Sequence, residues 1–368
     1  MADEPRIHHY IPQAYLRGFG WKNGKNWYVN AADLKKLAYF QPNTKNVCAE
    51  RDFMRFETKD HPPDKLEKEM AKFEGKAREA ILRIEQTKTF EGEDKLMVLN
   101  LMALLAVRHP QMRENMRDFT ERVSKVTMSM ALATKERWEG QMRQMKGDGK
   151  PVNENVTYEQ MKEFHERGEY KVTVLRELQI KSELKVLDTV LRTLVGRKWK
   201  LLYAAPDQGE FITSDHPVVI TWNNPDKVPP MMRHSPGFGM IDTEVIFLLT
   251  HSCCLLGRFE GMEDGVEEAQ GMLIAMCNTR MFSHAFDFVF TVDKRFPYMM
   301  PLNDPCWDDQ FMQRAKDYRD KHPPKEEKVI EWSAEKGPPM PKAMPMPDRE
   351  ERWRAAGFSQ APHRPEEQ

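Results

Sequence analysis

Apolar side chains recur three and four positions apart through Leu66, Met70, Phe73, Ala77, Ile81 and Ile84, the period of a helix with one buried face. Asp64, followed by Glu67 three residues on, predicts a capped start for it. A denser apolar run, Leu96–Val107, predicts a second helix from about Glu93 to Arg108, closed by Pro110. The pattern predicts a third helix over Arg113–Met145, ending at the Gly147-Asp148-Gly149-Lys150-Pro151 loop. A fourth helical region spans Tyr158–Val195, with a break at Gly168.

On either side of this helical block the period shortens. Asn23-Gly24 between aromatic flanks predicts a hairpin with a type I′ turn. Pro12 opens a short helix, with Gly18 and Gly20 as stop signals. Strands are predicted over Leu37–Phe40, Asp52–Phe56, Trp199–Ala205, Phe211–Thr213, Val218–Trp222, Glu244–Thr250, Cys254–Phe259 and Ala285–Val292, and a helix over Gly265–Asn278. The fold class is therefore α+β: a small hairpin-containing sheet (1–60), a long-helix bundle (64–198) and a mainly antiparallel sheet (199–300), in one composite domain over 1–320. Residues from Lys321 onward hold nine of the 25 prolines with nine basic and nine acidic side chains. They predict a disordered tail at 321–368, able to dock a protein partner.

Composition narrows the setting. Of 368 residues, 56 are Lys or Arg and 57 Asp or Glu, a formal net charge of −1. That excludes a globally basic nucleic-acid binder but not a local patch. The best such patch is Lys181–Lys200, with six basic and two acidic residues; the plainer reading is a solvated helix face. Five cysteines without a C-x-x-C predict neither a disulfide framework nor a zinc knuckle. No apolar run reaches membrane-spanning length, and the first residues contain no apolar signal core, so a cytoplasmic, soluble protein is expected. No G-x-x-x-x-G-K-[ST] or G-x-G-x-x-G is present, so no nucleotide cofactor motif is found.

The densest chemistry lies in His8-His9-Tyr10-Ile11-Pro12-Gln13-Ala14-Tyr15-Leu16-Arg17-Gly18-Phe19. An imidazole from His8 or His9, the Gln13 amide and the Arg17 guanidinium beside a helix start suit a phosphate or carboxylate. Arg108, just before Pro110, could bind an anion or lock two helices through a Glu. Ser214-Asp215-His216-Pro217 places an acid and an imidazole at a strand end, as a general base with its partner or as a local turn. Glu67 and Glu74, seven apart at the edge of the first apolar stripe, could join Asp52 or Asp215 around a hard divalent cation. The R-x5-H spacing of Arg55–His61 reads as chance.

His8–Phe19 resembles the opening signature of domain of unknown function family 4238, a His-His-aromatic-aliphatic-Pro-Gln segment followed by Leu-Arg-x-Phe. Leu66-Glu67 and Phe73-Glu74, Arg108-His109-Pro110-Gln111-Met112-Arg113, Phe211–Val218, Asn278 and Phe286–Phe290 resemble later stations of that family in order, across about residues 7–292. His216 stands where the family usually has Asn, and Leu105 where many members have Gln. The resemblance implies a shared fold and pocket, and names no activity.

Two functional readings follow. In the first, Mg²⁺ or Mn²⁺ on Asp52, Glu74 and Asp215 activates water for a phosphodiesterase or nuclease; His8 or His9 acts as base and Arg17 and Arg108 steady the phosphate, with Gln13, Arg113 and His216 holding substrate. In the second, the same cluster binds an anionic ligand, a nucleic acid or a protein partner without turnover. A third, structural possibility makes these residues a buried network that specifies the fold.

Overall fold

The computed structural model describes residues 7–53, 65–233, 235–299 and 305–321. The Asp64–Glu67 cap, the Arg55–His61 spacing, the second half of the Asp52–Phe56 strand and the tail beyond Lys321 lie outside the described residues or side chains. Of the described residues, those up to Tyr318 fall in one compact unit.

The first stretch contains β1 (Ile7–His9), α1 (Gln13–Leu16), β2 (Trp21–Asn23), β3 (Asn26–Tyr28), β4 (Asn30–Asp33), β5 (Ala38–Phe40) and β6 (Ala49–Arg51). Pro12 precedes α1, and its carbonyl accepts from the Tyr15 and Leu16 amides. A 3-10 turn over Arg17–Phe19 continues the helix. The β2–β3 hairpin forms, but with Asn23 opposite Asn26 its central pair is Gly24-Lys25. Only Gly24 has a positive φ, so it lacks the two positive values of a type I′ turn. The strand expected at Asp52–Phe56 lies earlier, as β6, because its ladder with β1 ends at Arg51 and Asp52 turns into the left-handed region.

The helical block contains α2 (Lys65–Thr87), α3 (Gly92–Val107), α4 (Pro110–Ala131), α5 (Lys135–Gly147), α6 (Tyr158–Arg167) and α7 (Arg176–Val195). The expected Arg113–Met145 helix is two helices. The α4 helix starts three residues earlier, with Pro110 in its first turn behind a His109 cap, and the chain breaks at Leu132–Thr134, where the Thr134 hydroxyl caps α5. Gly168, at φ 66, closes α6 as expected. The α3 helix is buried on most of its circumference, as suits a helix held between α2, α7 and β9.

The last block has β7 (Lys198–Ala204), β8 (Thr213–Ser214), β9 (Val218–Trp222), β10 (Thr243–Thr250), β11 (Cys253–Arg258), β12 (Gly265–Ala269), α8 (Gly271–Ser283), β13 (Phe288–Thr291), β14 (Tyr298–Met299), β15 (Pro305–Cys306) and α9 (Phe311–Lys321). A five-stranded sheet runs β12-β7-β11-β10-β9. The Gly265–Asn278 helix is corrected. Gly265–Ala269 is an edge strand parallel to β7, and the helix begins only at Gly271. All eight residues of β10 are buried, so its run is apolar where a half-buried strand would alternate. A four-stranded sheet, β5-β4-β13-β8, joins the N-terminal strands to the C-terminal ones. The small first sheet is thus continuous with the last block. Tyr15 fastens the same junction, its hydroxyl donating to the Leu248 carbonyl at 2.6 Å and lying 2.8 Å from the Thr213 hydroxyl. Among the described residues all five cysteines are free, and no helix is long and apolar enough to cross a membrane.

Candidate functional site

One stripe of α2 lines the site. Glu74, Arg78, Ile81 and Glu85 are spaced four, three and four apart, so they share a face. The N-terminal segment, the 3-10 turn after α1 and the end of β10 pack near this stripe.

At its start Glu74 accepts from Arg108 Nη1 at 3.1 Å, and Arg108 Nη2 donates to the His9 carbonyl. Arg113 extends the system, donating to both oxygens of Glu183 on α7 and to the Phe53 carbonyl at 2.6 Å, with its guanidinium 3.5 Å from the Phe53 ring centre. Arg108 is 4% exposed, and burial pulls its pKa down against the opposing pull of Glu74. This is the buried Arg–Glu lock between helices, here tying α2, α3, α4, α7 and β1. His8 is buried in β1 opposite Glu50. His9 places Nε2 3.1 Å from the Lys45 carbonyl, and burial, with Arg108 nearby, lowers its pKa.

Asp215 is clamped in a second place. Its carboxylate accepts from the amides of Phe286, Asp287 and Phe288 at 2.7–3.1 Å, fixing the entry to β13. Burial outweighs these three donors and lifts its pKa to about 6. Around it, His109 stacks on Phe286 at 4.4 Å and meets Tyr10 edge-on. His216 Nδ1 lies 3.3 Å from the His284 carbonyl. Burial lowers both imidazoles to about 4. The Ser214 hydroxyl accepts from the His216 amide at 3.1 Å, the local turn that the segment suggested.

Arg17 joins neither group. It faces Arg78, which lies against Gly18: a Cβ there would stand 3.2 Å from Arg78 Nη1 and 3.3 Å from the Leu249 carbonyl, so glycine permits the approach. Burial lowers the Arg78 pKa and Arg17 lowers it further, with Glu85 opposing. Arg17 Nε and Arg78 Nη1 are both buried without a hydrogen-bond partner. Among the described residues neither guanidinium forms an ion pair. Glu85, the obvious counter-charge, accepts instead from the Thr250 hydroxyl at 2.8 Å and from the Ser252 hydroxyl. Beyond it His251 lies 3.4 Å from Glu210, which raises its pKa.

The residues nominated from the sequence therefore divide. His9, Glu74, Arg108 and Arg113 meet in one network, Asp215 and His216 in another, and Arg17 in a third with Arg78, while Gln13 is half-buried on α1. Asp52 is half-buried and its carboxylate lies 3.9 Å from Arg51. Among the described residues no group of three or more His, Cys, Asp or Glu is placed to hold a metal ion. In the Lys181–Lys200 stretch, Arg192, Lys198 and Lys200 meet carboxylates and Arg197 is buried against backbone carbonyls. Arg78 gave no sequence signal, since an arginine between Ala77 and Glu79 reads as a solvated helix face; Gly18 and Arg17, some 60 positions earlier, give it meaning.

The family described as "Protein of unknown function (DUF4238)" matches residues 7–295, and the chain belongs to that family. No curated protein and no solved structure matches it.

Proposed function

We propose that this family member binds a small anionic ligand, with a phosphate or carboxylate group received between Arg17 and Arg78. The observation that carries the reading is two arginines close enough to repel, Arg78 lying against Gly18 next to Arg17, each with one buried nitrogen that has no hydrogen-bond partner. Like charges in a poorly solvated place repel, and each unmade hydrogen bond costs about 1–3 kcal/mol. One anion removes both costs, and guanidinium geometry favours a bidentate oxyanion. The Thr250 and Ser252 hydroxyls lie nearby, both donating to Glu85, whose carboxylate is the group an anion at Arg78 would have to displace. Both arginines are half-buried, which suits a compact group better than a duplex backbone.

Metal-assisted phosphodiester cleavage is the less favoured reading. Glu74 is committed to Arg108 and Asp215 to three amides. The test is titration calorimetry with inorganic phosphate, simple carboxylates and mononucleotides, with EDTA present. Binding without metal, lost in both Arg17→Gln and Arg78→Gln, is expected. Saturation at 100 times Kd should raise stability by about 2.7 kcal/mol. The absence of heat and of a melting shift with all three ligand classes overturns the proposal. Turnover of a phosphodiester that requires Mg²⁺ or Mn²⁺ replaces it with the metal-assisted reading.

A further inference from the structure

The α4 helix is 22 residues long and contains no buried residue. A water-exposed helix of this length normally owes its stability to one packed apolar face. That face exists and is in large part exposed: Met112, Met116, Phe119, Val123, Val126 and Met130 are 39–63% exposed, with Met112 and Met116 bordering α7 along one edge and Val123 and Met130 bordering α5. Their spacing is four, three, four, three, four, the alternation of a two-stranded coiled-coil seam.

We propose that α4 is a dimerisation helix and that its occupant is α4 of a second copy, laid antiparallel about Glu121. The seam is nearly a palindrome around that residue. Antiparallel pairing sets Met112 against Met130 of the partner subunit, Met116 against Val126 of the partner subunit, and Phe119 against Val123 of the partner subunit. The two inner layers match a larger side chain with a smaller one, as interdigitation at constant spacing requires. A parallel pair would instead stack Phe119 on its own copy and leave the valine layers thin.

Area and charge agree with a second copy. At their observed exposures the six side chains leave roughly 600 Å² per copy, near the ~800 Å² per partner of a standard interface once flanking positions are added. The flanks carry little charge: Thr120 and Thr127 lie on one edge, Asn115 and Ser129 on the other. Arg113 on the first edge is already engaged by Glu183. Arg122 alone meets its own copy near the dyad, with Asp118, 3.5 Å from Arg117, one turn back on the same helix.

Light scattering on the full chain should give twice the chain mass at high micromolar concentration, and Phe119→Asp should halve it. Because Phe119 is 63% exposed, that variant should keep its far-ultraviolet spectrum and a cooperative melting transition, lowered only by what dimerisation contributes and independent of protein concentration. Orientation is read by mixing Met112→Cys chains with Met130→Cys chains in a Cys306→Ser background, the other four cysteines being buried. Oxidation should give the mixed disulfide and leave either variant alone uncoupled. A wild-type monomer, a dimer indifferent to Phe119→Asp, or coupling of Met112→Cys to itself overturns the proposal.

Discussion

At the scale of the residue, three arginines of one chain have different fates. Arg108 is sealed against Glu74 and the His9 carbonyl, so Arg108→Ala empties a buried site and deletes both contacts. It should cost about 3–5 kcal/mol in urea unfolding. Arg17→Gln relieves the repulsion on Arg78 and leaves the attraction of Glu85 for Arg78 in place, so in phosphate-free buffer its melting point should equal or exceed wild type. The buried ionisable groups also set a pH profile. Asp215, raised from 3.8 to about 6, favours the fold when protonated, and that advantage of about 3 kcal/mol is lost as pH climbs through 6. His109 and His216, lowered from 6.5 to about 4, favour the fold when neutral. Each therefore adds about 3 kcal/mol as pH rises from 4 to 6.5. Two gains oppose one loss, so stability should rise over that window in denaturant titrations. Asp215→Asn should steepen the rise. His216→Asn, which retains a donor toward the His284 carbonyl, should flatten it.

Elements reveal how much of the fold could be read from the chain. The α2 and α7 helices were legible because each buries a periodic apolar face, α3 because its run is apolar nearly all round, and β9 and β10 because each contains a continuously apolar run. Local patterns failed where tertiary pairing overrode them. Gly265–Ala269, with two glutamates and an alanine, reads as the start of α8, yet backbone pairing to β7 makes it a strand. The α4–α5 break depends on one hydroxyl, at Thr134, within an unbroken polar–apolar rhythm. The candidate site was half legible: Arg17 stood in a conspicuous segment, whereas its partner Arg78 is defined by packing alone. Packing at this scale is also testable. A Cβ on Gly257 would fall 2.6 Å from the Trp199 ring, so Gly257→Ala should cost about 1–3 kcal/mol and alter Trp199 fluorescence. The capping box at Thr157 and Gln160 predicts a milder loss, about 1 kcal/mol for Thr157→Ala.

For the molecule as a whole, the controlling fact is that the two ends of residues 7–299 share one sheet. Asn30 on β4 donates to the Val292 carbonyl across 262 positions of chain, and β13 lies between β4 and β8. Synthesis proceeds from one end, so β4 leaves the ribosome long before its neighbour exists. At common elongation rates the delay is roughly 13–50 s. During that interval Ile11, Leu16, Phe19 and Val29, all fully buried in the finished fold, have no completed surface to cover them. The nascent chain should therefore be open to limited proteolysis near its beginning until translation passes Val292, and a holdase chaperone should find it there.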